Sequence, residues 1–509
     1  MGPTMAKPPL LTVLLDTNAV IALEPYAGAE DAQRQALADL LRLSREHGHH
    51  VVVHPANFDD LRETADPTHR NANLRALGKY ELIGEAPIPK ALDEAFGCPD
   101  IGSNDHRDLR LLAATAAGAA THFVTNDRRL VRRAERVGLE EQVLSPAEAL
   151  SLLQTLHPAD PAAPPQVRRR MGAELRLTEP IFDSLRSDYA GFDSWIRNTV
   201  SPDPGRRVWT VEDADGGYRA IAIVKLTDNH PLVPSRQLMK ISTFKVDERS
   251  EGEKLGELLL KTVLGWASTK LVDAMFVTVI KDETKQLLVR FLETFGFEEA
   301  GKLPGTENEW VFEKGLRPGV DAPVEHLTYH VKYGPPAVAP LADVFVVPVQ
   351  PHWYSGLFPD SPAEETAVAL FDLTELFPFG NALRKAYLSN AKRRELPAGS
   401  VLLFYRSAGD RPGSGAVRAV GVVERTIRSS DPGEILAFVG RRTVYSAEEV
   451  ARLCQSDVIA VLFRQDRFLV EPWGLDELLE MQVLNGPPQT ITKAVSEEGR
   501  AWVQQQLSE

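Results

Sequence analysis

The stretch Leu156–Gln166, LHPADPAAPPQ, stops this chain from folding around one continuous core. Each proline fixes φ and removes a backbone donor, so neither a helix nor a central strand can run through it. Pro/Ala composition of this kind makes a semi-rigid spacer. Arg317–Pro323, RPGVDAP, forms a second break, and Pro335, Pro336 and Pro340 follow it. The chain has 509 residues, whereas one core stops growing near roughly 250–300. The breaks therefore predict a first domain over 1–155, a linker over 156–170, a second domain over 171–316 and a third over 317–509. Ala408–Gly415 reads as a polar loop inside the third domain.

Composition narrows the class. Hydrophobic residues make up 43% and charged residues 25%, the balance of a chain that folds. No apolar run reaches the roughly 18 residues of a membrane span. The opening MGPTMAKPPLLTVLLDTN holds a short apolar stretch broken by Asp16, so the reading is a soluble, cytoplasmic protein without a signal peptide or membrane contact. Cys98 and Cys454 stand far apart without a CxxC or Cys/His pattern, which gives no support to a disulfide framework or a zinc site. The net charge of −14 excludes indiscriminate coating of nucleic acid and leaves room for a local basic face.

In the first domain, apolar runs alternate with amphipathic ones: Leu11–Leu15, Ala32–Leu43, Val51–Val53, Asp108–Ala117 and His122–Thr125. That order predicts a parallel sheet with helices on both faces. Ligands of such sheets gather beyond the carboxyl ends of the strands. Asp16 closes TVLLD and Asp127 follows HFVTND; Asp108 is expected to open one helix, with Asp105 just before it, and Asp60 to start another in HPANFDDLRE. Asp16, Asp60, Asp108 and Asp127 are thus the candidate catalytic and metal-binding residues. Hard oxygen ligands suit Mg²⁺ or Mn²⁺, and such ions activate water against phosphodiesters. An Asp at a strand end is also an ordinary turn or N-cap residue. His49, His50 and His54 read as surface or packing residues. The run Arg128–Arg136, RRLVRRAER, reads as a solvated helix face or an RNA-backbone grip.

These residues resemble a family. LLDTN at Leu14–Asn18, DHRDLRLLAAT at Asp105–Thr115 and TND at Thr125–Asp127 resemble the motifs of PIN-domain nucleases, which include toxin ribonucleases of toxin–antitoxin systems. The resemblance implies a metal-dependent endoribonuclease, RNA as substrate and an antitoxin or regulatory partner. It makes Asp16, Asp108 and Asp127 metal carboxylates and Thr17, Thr125 and Asn126 their supports. Asp60 takes the remaining acidic position, with Asp59 and Glu63 as competitors.

In the second domain, FKVDERSEGEKLGELLLKTVLGWA runs from a strand through a charged loop into a helix, an arrangement whose backbone N–H groups can face a pyrophosphate. It resembles the acyl-CoA loop of GNAT-type acetyltransferases, and FLETFGFEEAGKL resembles that family's last helix and following strand. The resemblance implies an α+β fold and acetyl-CoA held around Val246, Gly252, Lys254, Leu255, Gly256 and Glu257. Lys254 stands where the family pattern has its first Gly, and Leu292 where a proton-donating Tyr is common.

The third segment has short strands, Ala342–Val349, Val401–Tyr405, Ala419–Arg425 and Val458–Arg464, a pattern that predicts a mixed β-barrel. GNALRKAYL, AGSVLLFYRS and VGRRTVYSAEEV resemble the PUA-like group with its ASCH and EVE domains, which implies RNA binding. Lys385, Lys392, Arg393, Arg394, Arg406, Arg441 and Arg442 are the candidate phosphate contacts; Trp353, Tyr354, Tyr387 and Tyr405 are candidate stacking residues or core. The whole reads as an α/β multidomain protein: a PIN-like parallel sheet with flanking helices, a GNAT-like α+β domain and a PUA-like mixed β-barrel. Its leading function is a ribonuclease with accessory CoA and RNA binding. The alternatives are an N-acetyltransferase for an RNA-linked or protein amine, and a non-enzymatic interaction protein.

Overall fold

The computed structural model describes residues 9–23, 34–158, 167–213, 215–227, 229–232, 237–247, 250, 252–281, 285–319, 325–361, 382–392, 395–407 and 415–508. The chain divides into two compact units: residues 1–161 with 386–395 and 427–461, and residues 162–385 with 396–426 and 462–509.

The first unit is built on five strands, β1 (Thr12–Leu15), β2 (His50–Val53), β3 (Glu81–Leu82), β4 (His122–Val124) and β5 (Val143–Leu144), in the order β3-β2-β1-β4-β5. Every pairing is parallel. Parallel strands need crossover connections, and the helices between them supply these: α1 (Thr17–Leu23), α2 (Arg34–His47), α3 (Pro55–Arg62), α4 (Pro67–Leu77), α5 (Lys90–Phe96), α6 (Asn104–Ala116) and α7 (Arg128–Arg136); α8 (Pro146–Leu156) follows β5. Because β2 and β4 flank β1 on opposite sides, the strand order reverses at β1, and the crevice opens beyond its carboxyl end.

Two helix starts differ from expectation. The Ser103 side chain accepts from His106 N and caps α6, so Asp108 lies in the second turn instead of opening the helix. His54 and Asn57 cap α3 reciprocally, with Pro55 at its first position; Asp60 therefore falls in the last turn, not the first. In both cases the cap lies upstream of the acid that looked like one.

The second unit holds a seven-stranded mixed sheet in the order β11-β12-β10-β9-β8-β7-β6. Its strands are β6 (Val167–Arg170), β7 (Arg206–Glu212), β8 (Tyr218–Thr227), β9 (Leu238–Val246), β10 (Ala274–Ile280), β11 (Glu298–Lys302) and β12 (Glu309–Gly315). Val167–Arg170, at the end of the expected linker, is thus a strand, paired antiparallel with β7. Helices α9 (Asp183–Asp188) and α10 (Phe192–Trp195) precede β7. Helix α11 (Leu255–Thr269) follows β9 and α12 (Gln286–Thr294) follows β10. Leu255, Leu259, Val263 and Ala267 recur at helical spacing and pack with Ala220, Ala222, Met239 and Met275 in one core.

A third sheet has the order β14-β17-β16-β15-β13-β18, with β13 (Val344–Val349), β14 (Arg384–Ser389), β15 (Val401–Arg406), β16 (Ala416–Ser429), β17 (Val458–Gly474) and β18 (Thr492–Lys493). Helices α13 (His326–Tyr333) and α14 (Pro351–Leu357) flank β13 in sequence. Among the described residues β14 and β18 do not pair, so the sheet is not closed as the expected barrel would be. The pair β13–β15 is parallel and β15–β16 antiparallel, so the sheet is mixed. Among the described residues no helix is long and apolar enough to cross a membrane.

Candidate functional site

Asp16 follows the last residue of β1, and its carboxylate is held from two sides. Thr17 N donates to Oδ1 at 2.7 Å and the Thr125 hydroxyl donates to Oδ2 at 2.6 Å. The same hydroxyl accepts from Asp127 N at 3.0 Å, so Thr125 fixes the strand ends of β1 and β4 together. Asp127 caps α7 and accepts from Arg129 N and Leu130 N. Asn57, which the sequence did not single out, is fully buried; its amide donates to Leu15 O and Thr17 Oγ1, each at 3.2 Å, and anchors α3 to this crevice.

The neighbouring carboxylates act on Asp16 and Asp108. Burial raises the Asp16 carboxyl to about 6, against the hydrogen bonds from Thr125 and Thr17, and the charges of Asp127 and Asp60 push the same way as burial. Burial and then Asp16 and Asp127 push Asp108 up to about 7, with Arg133 opposing. Asp60 is thus the α3 acid that acts on Asp16. Its competitors are engaged elsewhere: Asp59 accepts from Arg110 at 2.7 Å and from Arg62 at 2.9 Å, and Glu63 is bonded by Arg107. Arg107 also lies 3.4 Å from Asp60. Asp105 is turned to Arg133 and Arg129. Still, among the described residues no three His, Cys, Asp or Glu side chains come close enough to hold one metal ion. The crevice gathers negative charge without forming a finished ligand set.

The second site lies in the seven-stranded sheet. Strands β9 and β10 pair in parallel from Leu238↔Ala274 to Ile241↔Val277 and no further, although β9 runs on to Val246 and β10 to Ile280. At the same level β9 carries an additional residue against β8: Ile223 pairs with Thr243 and Val224 with Ile241, which leaves Ser242 bulged. A bulge bends its strand and ends regular pairing, so the two strands splay into a wedge. Beyond the end of β9, Gly252 (φ 85°) and Lys254 (φ 58°) bend the chain into α11. Gly supplies such a φ without strain, whereas Lys254 adopts it at a cost. Gly256 faces the Phe291 ring and Val246; a Cβ there would sit 3.5 Å from the ring, at ordinary contact distance.

The other residues assigned to this loop point inward. Leu255 belongs to the core. Glu257 is buried, and its Oε2 accepts from Leu383 N at 2.8 Å and Arg384 N at 3.1 Å. Arg384 reaches Glu424 at 2.9 Å, Arg464 reaches the same carboxylate at 2.6 Å, and Arg464 also donates to Thr294 O at 2.9 Å. Leu292 is a core residue and supplies no proton.

The residues expected to touch RNA from the third segment are mostly internal. Tyr354, Tyr387 and Tyr405 are buried, and Trp353 is half-buried. Lys385 is fully buried and donates to Leu357 O, Arg406 is fully buried, and Arg441 and Arg442 pair with Glu141. Lys392 is exposed, while Arg393 and Arg394 lie outside the described residues. Strand periodicity cannot tell an inward cation from an outward one when both faces of a sheet are covered.

No family model and no curated protein matches the sequence. Among solved structures, a putative acyl-CoA N-acyltransferase from Klebsiella pneumoniae is 13% identical, over 30% of this chain and 98% of that one, with a TM-score of 0.23. The PaiA N-acetyltransferase from Thermoplasma acidophilum, in complex with coenzyme A, is 16% identical over 30% and 99%, with a TM-score of 0.23. ASCH from Zymomonas mobilis is 18% identical over 31% and 93%, with a TM-score of 0.22. At such scores the functional reading rests on this chain's own residues.

Proposed function

We propose that the second unit binds an acyl-CoA and transfers its acetyl group to an amine. The observation that carries this is the wedge where β9–β10 pairing stops at Ile241↔Val277 beside the Ser242 bulge. It exposes backbone polar groups of β9 to an extended ligand arm, and α11 begins beyond the strand end, where its first N–H groups have no partners within the helix. Bound acetyl-CoA supplies an activated thioester. The chain's part is to hold it, with Lys254 at the helix start as a cation for the pyrophosphate and the wedge aligning the thioester. The amine nitrogen attacks the carbonyl carbon, a C–N bond forms, and the C–S bond breaks with its electron pair on sulfur. The amine's proton goes to solvent and the thiolate takes one back, since Leu292 cannot donate. Calorimetry with acetyl-CoA on the full chain tests the reading. Lys254→Glu should weaken binding about tenfold, one charge reversal at a pyrophosphate; absence of heat with the wild-type chain sinks it.

A second reading, a nuclease acting on RNA, is favoured by one observation: burial and the charges of Asp127 and Asp60 raise the Asp16 carboxyl, and burial and the charges of Asp16 and Asp127 raise that of Asp108. As placed, the described side chains do not fit one ion. The reading requires them to close around Mg²⁺ or Mn²⁺ as it binds. A Mn²⁺-dependent rise in melting temperature, lost in Asp16→Asn, is the expected result, together with RNA cleavage lost in the same variant. Cleavage unaffected by Asp16→Asn or by chelator contradicts it.

A further inference from the structure

Next to the wedge, the register of the second sheet lines up three cations. Arg206 on β7 pairs with Lys225 on β8, and Lys225 pairs with Lys240 on β9. Directly opposed residues share a face, and like charges placed so repel. The row continues into Phe276 on β10, whose ring centroid lies 6.0 Å from the Lys240 ammonium. Lys240 is the residue before Ile241, the last to pair with β10, and so stands at the apex of the wedge.

One carboxylate serves the first two cations, and Glu313, opposite Phe276 on β12, lies 2.8 Å from the His230 ring. Asp203 is shared: it lies 3.3 Å from Arg206 and 3.2 Å from Lys225. Arg206 also donates to Ser242 Oγ, the hydroxyl of the bulged residue, at 3.1 Å, and lies over the Trp195 ring. Lys240 has no ion pair among the described residues; burial and then the charge of Arg206 lower its pKa, and only Glu309 acts against them. An anion placed over the row would turn the repulsion into attraction for two or three charges at once.

We propose that Lys240, with Lys225 and Arg206, recognises an anionic group, a carboxylate or phosphate, carried by the acyl acceptor. The proposal rests on the acetyl-transfer reading for the identity of the ligand, while the anion site itself does not depend on it. The amine to be acetylated would then sit at the wedge with its charge held over the row, and neutral amines would lose that anchor.

Two measurements on the full chain separate the site from the reading. In the first, inorganic phosphate is titrated and melting followed. The wild-type chain should gain stability, and Lys240→Met and Lys225→Met should each lose that response; Lys240→Met, which has no ion pair to lose among the described residues, should melt no lower without phosphate, because it removes a repelling charge. A phosphate response that is absent, or equal in wild type and both variants, overturns the proposal. In the second, CoA release is compared within pairs of amines that differ only by the anion: tyrosine against tyramine, and phosphoethanolamine against ethanolamine. The wild-type chain should favour the anionic member of at least one pair about tenfold, the scale of one charge-assisted contact, and the pair identifies carboxylate or phosphate. The ratio should fall toward one in Lys240→Met. Ratios near one in both wild-type pairs overturn the acceptor assignment. If acetyl-CoA neither binds nor turns over with any amine, the acetyl-transfer reading fails, and the phosphate titration alone decides the anion site.

Discussion

The crevice of the first unit and the cation row of the second are both crowded with like charge, and they were assembled by different rules. In the crevice, topology does the gathering: a parallel sheet delivers Asp16 and Asp127 from the ends of neighbouring strands, and helices α3 and α6 bring Asp60 and Asp108. In the row, register does it: Arg206, Lys225 and Lys240 meet because three antiparallel strands pair at one level. Strand ends carry loops that can close around a ligand, while a row across a sheet is rigid. The first arrangement suits an ion that must be enclosed, the second a group that must be positioned.

The largest expected difference between the two is in ligand sign. Mn²⁺ at a hundredfold excess over its dissociation constant should stabilise the first unit by about 2.7 kcal/mol and leave acetyl-CoA binding unchanged. Asp16→Asn should abolish the Mn²⁺ response without affecting the phosphate response. One substitution that removes both would break the comparison.

A smaller effect follows from proton affinity. Asp16 and Asp108 titrate near 6 and 7 in the folded chain, above the roughly 3.9 of an unfolded Asp. Between those values the folded state binds more protons than the unfolded one, so stability falls as pH rises from about 4 to 7. Asp108→Asn removes one such group and should melt ~2–5 °C higher than wild type at pH 8, with the gap closing near pH 4. Melting curves across that range check it; a gap constant with pH would mean that Asp108 is not strained by its neighbours.

Smallest is the effect of Thr125→Val. It deletes the hydroxyl that joins Asp16 to Asp127 N and should cost about 1–2 kcal/mol. Because that hydroxyl favours the ionised Asp16, the variant should also shift the pH at which the Mn²⁺ response appears upward. An unchanged pH profile would assign Thr125 to packing alone.

Much of the first unit was legible because its signals are local. Strand runs, their terminal acids and the TND turn stand together in sequence, and the parallel sheet follows from their alternation. The helix starts at Ser103 and His54 were read a turn late because an acid near a helix start was taken for the cap. The cation row was illegible: 206, 225 and 240 are separated by turns and a loop, and only register sets them opposite one another. The third segment misled for a related reason. Lys385, Arg406 and three of its tyrosines lie inside, and alternation that suggests an outward face does not survive when both faces are covered.

The Glu257 carboxylate has a practical consequence. It binds the backbone of Leu383 and Arg384, while Arg464 bonds to Thr294 O. A polypeptide cut near residue 320 would strip partners from a buried acid and a buried guanidinium in one stroke. The pieces on either side of that cut are therefore not interchangeable cassettes: shuffling the stretch after residue 320 onto another sheet of this topology would require transplanting position 257 with it.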